Sequence, residues 1–111
     1  MVNKAKEEKK LRDKKDKEWS LRIKKSYENK CAFCLKDKYI QAHHIIPREI
    51  KAFRYSFLNG IALCPFHHKL GIESAHRNPL WFFMKLEKLQ LLKLKVLKVK
   101  YEEWLKKNLK L

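Results

Sequence analysis

With 111 residues, the chain has room for one domain with a modest core, and none for separate substrate and cofactor domains. Lysine and arginine number 28 against 12 acidic residues, and the resulting formal net charge of +16 predicts a polyanionic partner. Because no apolar run is long enough to span a membrane and no lipidation motif is visible, we expect that partner to be nucleic acid and not a membrane.

The cysteines favour metal binding over disulfides. There are three of them, an odd number, and two form the pair Cys31-x-x-Cys34. Such a pair is typical of a reducing compartment. The N-terminus is too charged to contain the apolar stretch of a signal peptide, so we expect a cytoplasmic protein.

Residues 1–28 are predicted to form a basic helical arm. Residues 1–30 contain twelve basic and six acidic residues, which suits contact with DNA. A narrow apolar stripe at helical spacing comprises Leu11, Trp19, Ile23 and Tyr27. A frayed, solvated arm up to about Glu18 is an equally good interpretation, with packing onto the core from Trp19 onward.

Residues 29–80 are predicted to form the core of the domain. Tyr39–Ile46 has the composition of a short strand that Pro47 ends or bends. Asn59-Gly60 has turn chemistry, and Ile61–Leu63 is predicted to be the returning strand of a hairpin. Residues from about Pro65 to Lys69 would then open a helix. The expected order is strand, strand, helix around a metal.

Residues 81–111 are predicted to form a basic and apolar C-terminal helix. Asn78-Pro79 supplies an N-cap side chain followed by proline at the first helical position. The length of the segment Leu80–Asn108 favours one helix, although the alternation in 94–101 would equally suit strands. The apolar stripes of this segment indicate core packing or a homodimer surface.

Two knuckles predict a structural zinc site. Cys31-x-x-Cys34 and Cys64-x-x-His67 are separated by 29 residues, and each can present two ligands to one tetrahedral ion. Without metal, this small polar hairpin would have little to hold it together.

Three further histidines indicate a second kind of chemistry. His43 and His44 are consecutive, so on a strand their side chains point to opposite faces and serve different purposes. One can bind a metal while the other, with a pKa near 6.5, takes a proton from water. His68 can close the metal site from the helix. The metal would offset charge that builds on a phosphodiester.

The sequence resembles the HNH endonuclease family, whose fold is the ββα-metal finger. The resemblance lies in the run from His43 to Arg48, the run from Asn59 to Cys64, and His67-His68-Lys69. It covers Cys31 to about Leu80, nearly half of the chain, and residues 74–80 resemble small phage-encoded HNH proteins. The zinc-containing branch usually has two Cys-x-x-Cys pairs, whereas His67 stands here in place of the fourth cysteine. The fold expected is therefore α+β, a small ββα-metal finger with zinc knuckles and flanking basic helices.

The resemblance implies roles for four residues. His43 and His68 would bind the catalytic divalent ion, magnesium or another, and His44 would be the general base that activates water. Asn59 would brace the loop between the strands by hydrogen bonds and keep His44 aimed. The implied reaction is hydrolysis of DNA to a 5′-phosphate and a 3′-hydroxyl.

Three more residues have open roles. His76 either completes the metal site or is a surface or capping histidine, since its spacing of eight from His68 exceeds the usual four. Arg48 and Lys69 are candidates for phosphate contacts or simply solvated charges.

Several alternatives remain at this point. A non-catalytic zinc-ribbon DNA-binding module would use all the cysteines and histidines for structure, but it has no need of His43, His44, Asn59 and His68 together. A structure-selective nuclease for branched recombination intermediates would share the chemistry and require a dimer. A toxin-like nuclease is a further alternative.

Overall fold

The computed structural model describes residues Asn3–Leu109, so the outer ends of the predicted flanking segments, residues 1–2 and 110–111, lie outside the described residues. The described part is a small α+β arrangement of one two-stranded sheet and helices. The helices are α1 (Lys4–Ser26), α2 (Pro79–Lys88) and α3 (Leu92–Asn108), and the strands are β1 (Gln41–His44) and β2 (Gly60–Leu63).

Helix α1 is continuous, and its first half is nevertheless solvated. Asn3 caps its N-terminus, since the side-chain oxygen accepts hydrogen bonds from two backbone N–H groups of the first turn. Leu11 stays 54% exposed, whereas Trp19 and Ile23, one turn apart, are buried. The helix ends where Glu28 takes a positive φ of 56°. The helical interpretation of the arm is therefore confirmed for the described residues, with packing from Trp19 onward.

The two strands form the predicted antiparallel pair. His43 faces Ile61 and His44 faces Gly60 across the ladder. Strand β1 is shorter than the predicted Tyr39–Ile46. Tyr39 has a φ of 56°, which is incompatible with extended backbone, and pairing ends at His44 because β2 begins only at its partner Gly60.

Asn59-Gly60 does not form a tight turn. The strands are joined by the long segment 45–59, which contains two short 3-10 turns, Lys51–Phe53 and Phe57–Asn59. Gly60 is extended and begins β2 directly. A Cβ at Gly60 would lie 2.8 Å from Trp19 Cζ2 and closer still to Ile23, so the missing side chain lets α1 lie flat on the sheet.

The predicted helix after β2 is a single π-type turn, Phe66–Leu70. The N–H of Gly71 donates to the carbonyl of Phe66, five residues back, at 2.8 Å. This wider turn carries His67 and His68.

The C-terminal segment is helical, but the prediction of one helix from Leu80 to Asn108 is wrong. Asn78 caps α2 as predicted, by accepting from the Trp81 N–H at 3.1 Å. Gln90 takes a φ of 52° and separates α2 from α3. Leu89 and Leu91, on either side of Gln90, both pack against the core.

The core has two connected parts. The larger lies under β2, with Ile61, Leu63 and Cys64 packed against Phe82, Leu86 and Leu94 of the C-terminal helices. The smaller joins Ile46, Phe53 and Leu97. Within Asn3–Leu109, no helix combines the length and the apolar character needed to cross a bilayer.

Candidate metal centres and the cleft beside them

The four predicted zinc ligands lie together at one end of the hairpin, and we call them the zinc cluster: Cys31, Cys34, Cys64 and His67. Their ligand atoms all lie within 4.8 Å of one another. Cys34 Sγ is 3.8 Å from Cys64 Sγ, and His67 Nδ1 is 3.6 Å from Cys31 Sγ and 3.4 Å from Cys64 Sγ.

These distances match the edges of a tetrahedron around zinc. Zinc bonds of about 2.3 Å to sulfur and about 2.0 Å to nitrogen give edges of about 3.8 Å between sulfurs and about 3.5 Å between sulfur and nitrogen. The cluster is thus compatible with a structural zinc ion. Burial of Cys31 would by itself raise its pKa, but hydrogen bonds from neighbouring backbone N–H groups hold the pKa below its usual value and favour the metal-binding thiolate.

Three other imidazoles form a second group, here called the histidine cluster: His43, His68 and His76. Their ligand nitrogens lie within 4.8 Å of one another, and the Nε2 atoms of His68 and His76 are 3.0 Å apart. His43 belongs to β1 and His68 to the π-type turn. The arrangement is able to hold a metal ion with three nitrogens.

The loop after the π-type turn explains why His76 joins this cluster despite its spacing of eight from His68. The chain turns back on itself, so that the Ala75 N–H donates to the carbonyl of His67 at 2.8 Å. The next pair follows, with the His76 N–H donating to the carbonyl of His68 at 3.1 Å. These paired hydrogen bonds place His76 beside His68. In a regular helix, two side chains would need a spacing of about four residues to lie side by side.

Gln41 orients His68, a contact that we did not predict. The His68 Nδ1–H donates to Gln41 Oε1 at 2.5 Å, which leaves Nε2 as the lone-pair nitrogen that faces the cluster. Gln41 lies two residues before His43, on the same face of β1, so strand alternation was the available signal. Burial lowers the pKa of His43 to about 3 and that of His68 to about 4, so both imidazoles are neutral and available as ligands.

His44 is held in one orientation on the other face of β1. Its Nε2–H donates to the carbonyl oxygen of Arg54 at 2.9 Å, so Nδ1 carries the free lone pair. Its ring stacks on Trp19 with centroids 3.8 Å apart and an angle of 7°. Burial is the main cause that lowers the pKa of His44, and it keeps the imidazole in its basic form.

Asn59 is fully buried and fastens the loop that contacts His44. Its Oδ1 accepts from the Ile46 N–H at 2.5 Å, and its Nδ2 donates to the carbonyls of Ile46 at 2.9 Å and Phe53 at 3.0 Å. The next carbonyl along the chain, that of Arg54, accepts from His44. Hydrogen bonds of the kind implied by the resemblance are therefore present.

Helix α1 holds the same loop from outside. The Arg54 guanidinium donates to both carboxylate oxygens of Asp16, at 2.9 and 2.7 Å. Trp19 Nε1–H donates to the carbonyl of Ser56 at 2.8 Å. No local pattern in the sequence indicates these contacts, because each joins residues that are 37 or 38 positions apart.

A cleft of about 520 Å³ brings His44 and the histidine cluster to one surface. Arg48 and Lys69, the predicted phosphate contacts, also line it. The other lining residues are Ala42, Ile45, Pro47, Glu49, Ala75, Pro79 and Phe82. The zinc cluster contributes no residue to this lining.

Comparisons of the chain with protein-family models, with curated proteins and with solved structures find no match.

Proposed function

We propose that the chain is a metal-dependent DNA endonuclease of the HNH type, in which β1, β2 and the π-type turn are the ββα-metal finger. One observation carries the proposal. His44 and the three imidazoles of the histidine cluster line the same cleft, while the zinc cluster is complete without any of them. A zinc-ribbon module would require only the zinc cluster.

In this proposal the histidine cluster holds the catalytic ion, with His76 as the third ligand. A divalent ion held by these residues would supply positive charge to polarise the phosphodiester and to offset the charge of the leaving oxygen. Magnesium prefers oxygen ligands, whereas imidazoles suit borderline transition metals. The three nitrogens of His43, His68 and His76 therefore favour manganese, nickel, cobalt or zinc over magnesium in this cluster.

His44 would be the general base. Its Nδ1 would accept a proton from a water molecule, whose oxygen attacks phosphorus while the bond to the 3′ oxygen breaks. The 3′ oxygen would take up a proton from solvent, and His44 would then release its proton to solvent. This leaves a 5′-phosphate and a 3′-hydroxyl. The Arg54 carbonyl fixes the reactive tautomer and stabilises the protonated ring, since it accepts from Nε2–H in both states.

The charge of the chain supports DNA as the substrate. Arg48 and Lys69 lie in the cleft, where they would contact the phosphates beside the reacting one. Lysines elsewhere would add affinity that does not depend on sequence and that falls steeply with salt.

The structure-selective dimer remains a second candidate, because the C-terminal helices expose apolar side chains. Met84 of α2 is 54% exposed, and Val99 of α3 is 56% exposed. A second copy covering them would give the paired sites that cutting two strands requires. Sedimentation of the protein with and without a four-way junction would test this candidate.

The main experiment is nicking of supercoiled plasmid, with two variants that fail for different reasons. His44→Ala should lower the rate by a factor of about 10² to 10⁴ at every metal concentration, because it removes the base. His76→Ala should weaken metal binding, so that its activity recovers as manganese or nickel is raised. Both should keep their zinc and their DNA affinity. Undiminished nicking by His44→Ala would refute the mechanism.

A further inference from the structure

We propose that a basic trough between α1 and the segment Lys51–Tyr55 binds the phosphate backbone of the DNA strand next to the bond that is cut. The identity of the polymer depends on the nuclease proposed above. The trough consists of two adjoining hollows, of about 250 and 240 Å³, which share Lys15 and Tyr55.

One face of α1 supplies a row of cations to this trough. Arg12, Lys15 and Arg22 are spaced by three and seven residues, so they lie on the same side of the helix as the buried Trp19. From Arg12 to Arg22 the helix rises by about 15 Å, at about 1.5 Å per residue. That length corresponds to about four nucleotides of one strand of a duplex, at about 3.4 Å each.

The charges of this row are free to meet a ligand. Arg54, which also lines the trough, is neutralised by Asp16, whereas no ion pair within residues 3–109 uses Arg12, Lys15, Arg22 or Lys51. Two carboxylates, Glu8 and Glu18, also line the trough, so cations outnumber them two to one once the Arg54 pair is set aside. The trough therefore presents a surplus of positive charge that phosphates would neutralise.

An aromatic ring lies in the middle of the trough. Half-buried Tyr55 has Lys15 Nζ at 5.7 Å and Arg54 Cζ at 5.8 Å from its ring centroid. Tyrosine hydroxyls and cationic side chains are among the groups that donate hydrogen bonds to the phosphates of a duplex.

The trough also leads toward the cleft. Its inner end is Trp19, which stacks on His44, and His44 lines the cleft. A strand lying along α1 would thus continue past the proposed base. An acidic protein bound to the same cations would have no need of this continuity, so we favour DNA as the occupant.

The test compares two triple variants that remove the same charge. Arg12→Gln, Lys15→Gln and Arg22→Gln together remove the row of cations from the trough. Lys10→Gln, Lys14→Gln and Lys17→Gln, on the opposite side of α1, are the matched control. All six side chains are exposed, so both proteins should fold, which circular dichroism would verify. Binding to a short fluorescent duplex DNA is measured in the His44→Ala background, so that cleavage is too slow to disturb the measurement.

The trough variant should bind about tenfold or more weakly at about 0.15 M salt. Its log–log salt dependence should flatten by about three units, one for each cation that no longer meets a phosphate. The control should show a clearly smaller change. Adding Lys51→Gln from the other wall should weaken the trough variant further.

Equal reductions of affinity in the two variants, or no DNA binding by the parent protein, would overturn the proposal. So would unchanged DNA binding accompanied by abolished binding of polyglutamate, which would assign the trough to an acidic protein. If the trough variant binds DNA more weakly as expected but the wild-type protein never nicks plasmid, the trough stands and the nuclease assignment fails.

Discussion

The two ends of the β1–β2 hairpin are held by different chemistry. Where Gln41 pairs with Leu63, the chain runs into the zinc cluster, and four side chains converge on a site fit for one ion. Where His44 pairs with Gly60, buried Asn59 and helix α1 hold the loop by hydrogen bonds, stacking and an ion pair.

The two ends therefore differ in whether their side chains remain free to react. At the end with the zinc cluster, all four side chains converge on one site that is compatible with a structural zinc ion. At the loop end, His44 is fixed through its Nε2 and its ring face while Nδ1 stays free, so the imidazole is oriented and still able to accept a proton. The histidine cluster lies between the two ends and opens into the cleft.

Removing a residue of the zinc cluster should lower the stability of the protein most. Cys31→Ser removes a buried thiolate ligand, and we expect loss of zinc and a destabilisation of several kcal/mol, because the binding free energy of such an ion is part of the folding free energy. Metal content and thermal melting would measure it. Ala32→Ser is the control, since it adds the same hydroxyl within the same knuckle. Full zinc occupancy in Cys31→Ser would contradict the assignment.

Removing the hydrogen bonds of Asn59 at the loop end should lower the free energy of unfolding less and should leave the zinc in place. Asn59→Ala leaves the N–H and the carbonyl of Ile46 without partners among the described residues. The Phe53 carbonyl loses one of its two donors and keeps the Ser56 N–H. We expect a loss of about 2 to 4 kcal/mol by urea denaturation. Asn108→Ala, which removes an exposed hydrogen bond to Trp104, should change stability by less than about 0.5 kcal/mol. Loss of zinc from Asn59→Ala would show that the two ends are not independent.

The smallest change in stability is expected from breaking the ion pair between Asp16 and Arg54, which holds the loop from outside. This change depends on pH. The hydrogen bond from Arg54 is the main cause that holds the pKa of Asp16 below 3.8, its usual value. Because the folded-state pKa is the lower one, the stabilisation is complete above pH 3.8 and is lost as the pH falls through the folded-state pKa. Asp16→Asn should therefore cost about 1 kcal/mol at pH 7 and little once the pH lies below the folded-state pKa of Asp16.

Asp13→Asn provides the comparison for that pH series. Asp13 pairs with Lys9 at 3.8 Å on the solvated part of α1, and both side chains are more than 60% exposed. Its replacement should leave the melting temperature nearly unchanged across the same pH range. A stability of Asp16→Asn that parallels the stability of the wild type as the pH falls from 7 to below 3.8 would remove the proposed role of this ion pair.

Local spacing in the sequence was enough to predict what lies close in the chain. The two knuckles, the antiparallel strands and the Asn78 cap follow from short local patterns, and the structure contains all of them. The sequence does not decide the role of His76, because the spacing rule for helices does not apply to a loop whose backbone doubles back. The bend at Gln90 had no glycine or proline to mark it.

Contacts between segments that are distant in the sequence could not be predicted from local spacing. Trp19 had the pattern of a core residue, and nothing in the sequence indicated that its ring would stack on His44. The Asp16 and Arg54 pair likewise belongs to two surfaces that meet only after folding. Since the Asp16 pair holds the loop that contacts the proposed base, truncation of the arm through residue 18 should affect turnover as well as DNA binding.

The π-type turn has a consequence for the evolution of such a chain. Its neighbouring residues His67 and His68 serve different clusters, so inserting or deleting a single residue between Cys64 and His68 would present each imidazole to the wrong neighbours. We therefore expect homologues to vary in length within the segment 45–58 or beyond Asn78, and to keep this stretch at constant length.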